Sequence, residues 1–155
     1  MKYTYLLLFV VLFGCKEDSA TLQSIDGKVE LINDQNQFNN AWNDLQGDAS
    51  ESDPFSLNSM TLNDGVLTIE VSHGGGCEEH DYSLLWSGGT TFIDPPQVTA
   101  ILMHDANSDF CEAYLTNEVE FVLDSAILGW SINDFPNLQL TVVNGYDSEE
   151  TLTLN

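Results

Sequence analysis

The sequence contains no arginine, and Lys+Arg total 3 against 25 acidic residues, for a formal net charge of −22 over 155 residues. That scarcity of positive charge excludes a nucleic-acid binder. Such affinity rests on Lys and Arg neutralising phosphates, and so negative a surface repels a polyanion. Adhesion to anionic lipid through basic patches is excluded on the same ground. No apolar run reaches the roughly 20 residues that a membrane-spanning helix needs. Cysteine and histidine are scarce, at three each. Apolar surface, by contrast, is plentiful: 43% of residues are hydrophobic, including Phe 8, Tyr 5 and Trp 3. A disordered acidic chain lacks that surface, and the length suits one domain with its own core.

The longest apolar run, Leu6-Leu7-Leu8-Phe9-Val10-Val11-Leu12-Phe13, follows Lys2 and has the length of a signal-peptide h-region. It ends in Leu12-Phe13-Gly14-Cys15, which resembles a bacterial lipobox. The resemblance implies that residues 1–14 are a lipoprotein signal peptide and that Cys15 is acylated and becomes the N-terminus. Residues 15–27 are then a flexible acidic tether, and residues 28–155 a single domain. More than one acyl chain is needed for firm anchoring, because one alone binds marginally. An ordinary secretory signal with an incidental cysteine is the alternative. Lys16-Glu17-Asp18 resembles the signal that carries lipoproteins of the Bacteroidota to the outer face of the outer membrane. Asp18-Ser19-Ala20 and Asp124-Ser125-Ala126 resemble that phylum's O-glycosylation triplet. The expected location is the outer membrane, facing the exterior. The expected partners are the membrane, through the lipid, and a protein or glycan that the sequence does not identify.

Beyond the tether, residues 28–32 read as a first strand. Phe38, Ala41, Trp42 and Leu45 recur at helical spacing, with Asn33 or Asp34 as N-cap and Gly47 as stop. From Met60 onward the period is two. Met60 and Leu62 lead to the hairpin signal Asn63-Asp64-Gly65, then to Leu67, Ile69 and Val71. The rows Tyr82/Leu84/Trp86, Val98/Ala100/Leu102, Val119/Phe121/Leu123 and Leu138/Leu140/Val142 follow. The Asn144-Gly145 turn then leads to Leu152 and Leu154. The pattern predicts an all-β fold: an antiparallel β-sandwich or barrel of about 7–8 strands with one short N-terminal helix.

All three histidines and the remaining two cysteines lie between residues 73 and 111. His73 continues the inward row of Val71, His80 begins that of Tyr82, and His104 continues that of Leu102. If these strands run up, down and up, the three imidazoles share one pole on the core side. Three imidazoles can hold zinc or copper, with water or a carboxylate such as Asp81, Asp105 or Asp109 in a fourth position. An open position would permit hydrolysis. Alternatively, they are polar residues closing the end of the domain, and no cofactor is bound. Cys77 and Cys111 are expected to form a disulfide in an oxidising compartment. The rival reading is a Cys77–His80 nucleophile, which needs a positive neighbour that this chain does not offer.

Asp105-Ala106-Asn107-Ser108-Asp109 has the rhythm of a calcium loop, but Phe110 stands where an EF-hand needs glycine and Thr116 where it needs glutamate. A weak calcium site of another kind, using Asp105 and Asp109, competes with a plain Asx-rich turn. Trp130, Phe135 and Tyr146 are candidates for a binding face, each with a core role as the alternative. The stretch Ser72-His73-Gly74-Gly75-Gly76-Cys77-Glu78-Glu79-His80-Asp81-Tyr82, with His104-Asp105-Ala106-Asn107 and Cys111-Glu112 downstream, resembles small uncharacterised lipoproteins of the Bacteroidota, including the NigD-like group. That resemblance implies an exported β-rich domain and brings no reaction or catalytic residue with it. The leading functional expectation is a non-enzymatic, surface-anchored binding or accessory module. The second is a metal-binding protein, in one version a hydrolase, using His73, His80 and His104.

Overall fold

The computed structural model describes residues 23–24, 27–47, 49–89, 94–134 and 137–154. The signal peptide, Cys15, Asp18-Ser19-Ala20 and Phe135 lie outside the described residues. Nine strands form two sheets: β1 (Gln23–Ser24), β2 (Val29–Asn33), β3 (Phe55–Asn63), β4 (Val66–Gly75), β5 (Asp81–Trp86), β6 (Gln97–Asp105), β7 (Ala113–Val122), β8 (Gln139–Asn144) and β9 (Thr151–Leu154). The orders are β1-β7-β4-β3 and β2-β5-β6-β8-β9. No helix among the described residues is long and apolar enough to cross a membrane.

Alternation identifies the inward rows. Leu67, Ile69, Val71, Val119 and Phe121 of the first sheet join Tyr82, Leu84, Trp86, Val98, Ala100, Leu102, Leu140 and Val142 of the second in one core cluster. Each residue buried from water contributes on the order of 1.5–3 kcal/mol for a large aliphatic or aromatic side chain. The turn at Asp64 and Gly65, both at positive φ, sets the register of the β3–β4 hairpin.

Helix α1 (Gln35–Gln46) begins where the Asp34 carboxylate accepts from the amides of Asn36 and Gln37, and it ends at Gly47. Its apolar stripe covers the other face of the five-stranded sheet. There Phe38 packs with Leu85 and Ile101, beside Ala41, Trp42 and Met103. Strands β5 and β6 are therefore apolar on both faces, whereas β7 exposes Glu118, Glu120 and Val122.

The expected antiparallel architecture needs correction. Three pairs are parallel: β1 with β7, β2 with β5, and β6 with β8. Alternation specifies which face of a strand is buried but not which way the strand runs. Here α1 and the β3–β4 hairpin lie between β2 and β5, a crossover long enough to return the chain in the same direction. Helix α2 (Ser125–Leu128) and a 3₁₀ turn (Ile132–Asp134) escaped the periodicity reading because each is about one turn long. Asp124 caps α2, and Gly129 at φ 80° ends it.

Candidate metal centre

The three histidines converge from both sheets. His73 lies near the end of β4, His80 immediately precedes β5, and His104 lies near the end of β6, where it pairs with Tyr82. All are buried, at 2%, 5% and 2% exposure. Their ring centroids are separated by 4.1 Å (His73–His80), 5.0 Å (His80–His104) and 5.3 Å (His73–His104). One ligating nitrogen from each lies within 4.8 Å of the others.

Local structure dictates how each ring is held. The outer nitrogen of His73, Nδ1, is 3.0 Å from the carbonyl of Gly74. His80 Nε2 is 3.2 Å from the Asp109 carboxylate. His104 Nδ1 faces the carbonyl of Asp53 at 3.4 Å. Segment 52–53 is fastened beneath His104. The Ser52 hydroxyl accepts from the His104 amide at 3.0 Å, and the Asp53 amide donates to the His104 carbonyl at 2.8 Å. Rings whose outer N–H points at an oxygen are fixed in one tautomer, with the inner lone pair directed at what lies between them. By this orientation the inner atoms are His73 Nε2, His80 Nδ1 and His104 Nε2.

Asp109, His80, His104 and the Asp53 carbonyl form a row with three contacts, the middle one being His80 Nδ1 to His104 Nε2 at 2.8 Å. Both ends of the row are acceptors. Two neutral imidazoles bring two protons for three contacts, the longest of which, His104 Nδ1 to the Asp53 carbonyl at 3.4 Å, is beyond an ordinary hydrogen bond. Protonation is opposed. Burial, followed by the neighbouring His73 and His80, pushes His104 down to about 4, and burial also lowers His73.

Asp109 organises the pole. Its Oδ2 accepts from the consecutive amides of Gly76, Cys77 and Glu78 at 2.6, 2.8 and 3.0 Å, and its Oδ1 accepts from Cys111 at 2.9 Å. The amides of Cys111, Glu78 and Cys77 hold this carboxyl well below the usual carboxylate range. It stays anionic beside His80. Gly75, at φ 131°, makes the approach possible: a Cβ there would lie 2.6 Å from His80 Nε2 and 2.7 Å from Asp109 Oδ2. Cys77 and Cys111 form the disulfide, with Cα atoms 5.9 Å apart, and join the two segments that Asp109 holds. The bridge removes the Cys77 nucleophile.

The carboxylates expected near the metal fall elsewhere. Asp109 touches the outer nitrogen of His80 and so supports a ligand instead of being one. Asp81 accepts from the Lys28 amide, and Asp105 from the Asn107 amide. Asp105 and Asp109 serve separate amides, and Asn107 and Ser108, both at positive φ, give this segment the form of an Asx-type turn. Trp130 packs against the core beside Trp86, and Tyr146 is 52% exposed.

Sequence reading missed Asn117 on β7. Its Nδ2 lies 3.0 Å from His73 Nε2, while its Oδ1 is buried without a partner among the described residues. The buried Tyr82 hydroxyl also lacks a partner, and the Tyr82 ring stacks on His104 at 4.8 Å. Parity held the signal: Asn117 continues the row of Phe121 and Val119 toward the core.

No family model and no curated protein matches the chain. Solved structures that resemble it include a NigD-like immunity protein from Bacteroides caccae, with 19% identity over 85% of this chain and 60% of that one, at a TM-score of 0.49. A protein of unknown function, DUF1344, from Bacteroides vulgatus matches at 11% identity over 84% and 56%, with a TM-score of 0.49. A putative toxin-related protein from Parabacteroides distasonis matches at 21% identity over 83% and 59%, with a TM-score of 0.46. The chain thus spans less than two thirds of the length of each. The NigD-like group, to which the sequence bears a resemblance, is among its structural neighbours.

Proposed function

We propose that this chain is an exported, non-enzymatic accessory module whose domain is built around a transition-metal centre, zinc or copper, held by His73, His80 and His104. One observation carries the reading: each ring turns one nitrogen toward an oxygen acceptor, and one nitrogen from each of the three lies within 4.8 Å of the others. Carbonyl–histidine and carboxylate–histidine pairs of this kind orient ligands toward a metal. Tetrahedral zinc holds nitrogens at about 2.0–2.1 Å, which separates them by about 3.3 Å. The 2.8 Å contact between His80 and His104 needs to open by about half an ångström to admit the ion.

The burial of all three rings argues for a structural centre over a hydrolytic one, because catalytic zinc needs a position open to water and substrate. In this reading Cys15 carries the lipid, the outer membrane holds the module toward the exterior, and the acidic domain stands off on its tether. Purified chain is expected to contain about one zinc or copper ion per molecule, and His104→Ala to lose it. Metal-free wild-type protein that takes up neither ion would sink the centre. Cys15→Ala is expected to release the protein from the detergent phase, and unchanged partitioning would remove the anchor.

A further inference from the structure

We infer that Asn117 is the fourth ligand, through its amide oxygen, and that the centre is a closed N₃O site suited to zinc; this rests on the three-histidine reading above. Asn117 sits on β7 opposite Val71, on the inward face that also carries His73. Its Nδ2 donates to the His73 Nε2 lone pair at 3.0 Å, and its Oδ1 has no partner among the described residues. A buried amide oxygen left unpaired is costly, and such orphans in a folded protein call for an explanation. A metal ion on His73 Nε2 takes the lone pair that Asn117 Nδ2 was using. Both halves of the amide would then be unpaired.

Rotating the amide by half a turn gives the oxygen a partner, and Nδ2 takes the position that Oδ1 leaves. Oδ1 moves to the position now held by Nδ2, about 3 Å from the ligating nitrogen, which is the spacing of neighbouring ligands around zinc. Three imidazoles and one neutral oxygen complete a tetrahedron. The amide oxygen is a hard donor, which favours zinc over copper(I), whose preference is for soft sulfur ligands. A protein oxygen in the fourth place also leaves no position for water. Asn117 thereby decides between a structural and a hydrolytic metal.

Zinc competition titrations and cobalt(II) substitution of the purified chain test this. Wild type is expected to give the intense visible absorption of four-coordinate cobalt. Asn117→Leu is expected to bind zinc at least tenfold more weakly (about 1.4 kcal/mol) and to lose that absorption. Asn117→Asp, which keeps an oxygen in place, is expected to bind zinc at least as tightly as wild type and to retain the four-coordinate spectrum. Zinc affinity within twofold of wild type in Asn117→Leu, with an unchanged cobalt spectrum, overturns the ligand assignment and leaves the histidine centre standing. If the Leu variant fails to fold, weaker zinc binding by Asn117→Asp overturns the assignment instead. Failure of wild type to bind either ion sinks the underlying reading.

Discussion

Two buried asparagines, one in each sheet, show how differently this fold treats polar groups. Asn144 closes β8, paired with Leu102 two residues before His104, and is fully buried. Its Nδ2 donates to the Phe55 carbonyl and to the Glu150 carboxylate, while its Oδ1 accepts from the amides of Tyr146 and Asp147. Every bond it can make is made. Asn117 makes one bond, to a histidine, and leaves its oxygen alone. Polar groups buried for architecture are normally satisfied by the architecture itself. Among the described residues the Asn144 knot meets that standard, whereas Asn117 in the histidine pocket does not, and the proposed centre rests on that difference.

The largest effect is expected from the disulfide, which supports the pocket and leaves the knot alone. Cys77 and Cys111 are separated by 34 residues, and a loop of that size corresponds to about 4 kcal/mol in the chain-entropy model. Denaturation of Cys77→Ser/Cys111→Ser should show a loss of that order, together with weaker metal retention as the amides around Asp109 loosen. Equal zinc affinity with and without the bridge would detach the disulfide from the site. Asn144→Ala comes next. It strands the Phe55 carbonyl and the Glu150 carboxylate and is expected to cost about 3 kcal/mol. Metal content of the folded fraction should not change. A loss of metal equal to that in His104→Ala would break the distinction between the two asparagines.

Acid supplies a third, smaller effect. His73 and His104 have lowered affinity for protons in the folded chain, His104 down to about 4 from 6.5. The unfolded state therefore binds more protons between those values, and stability falls as pH drops from about 6.5 toward 4. Their contribution is fully present above that window. For the metal-free chain the expected loss is about 2–3 kcal/mol. Asp109, held below the usual carboxylate range, stays ionised in the folded chain. Its contribution to the slope therefore enters only at the acid end of the window, where the unfolded carboxyl begins to take up a proton. Urea melts at pH 7.5 and 4.5 should differ by that amount in wild type. The difference should shrink in His104→Ala, and an undiminished slope would shift the cause to other groups.

Much of this arrangement was legible before any coordinates. Parity alone placed His73, His80 and His104 on the core side, because side chains alternate along a strand whatever its neighbours are. The capped helix was equally plain, since Asp34, Gly47 and the Phe38–Leu45 stripe are local signals. Strand direction was not legible, because β2 and β5 pair across a crossover that no residue marks. Nor was the outer support of the rings. The carbonyls of Gly74 and Asp53 are main-chain groups, and nothing in their side chains announces the contact. Asn117 sat in plain view in the row of Val119 and Phe121, but an asparagine at a strand's inward position reads as a lapse in alternation until its neighbour proves to be a histidine.

The smallest expected effect on stability separates the two regions most sharply. Replacing Asn117 by leucine removes one hydrogen bond and one orphaned oxygen while keeping the branched shape of the side chain, in a position flanked by core residues. A lost neutral hydrogen bond costs about 1 kcal/mol, and relief of the orphan with added apolar burial offsets it by a similar amount. Metal-free Asn117→Leu should therefore melt within about 1 kcal/mol of wild type. That contrasts with the much larger loss expected when Asn144, of identical chemistry, is removed. Addition of zinc should then stabilise wild type by RT ln(1 + [Zn]/Kd), which is about 2.7 kcal/mol at a hundredfold excess over Kd, and should stabilise the variant far less. Metal-free Asn117→Leu destabilised as severely as Asn144→Ala would mean that the pocket is held by its asparagine as the knot is by its own. The unpaired oxygen would then say nothing about a ligand.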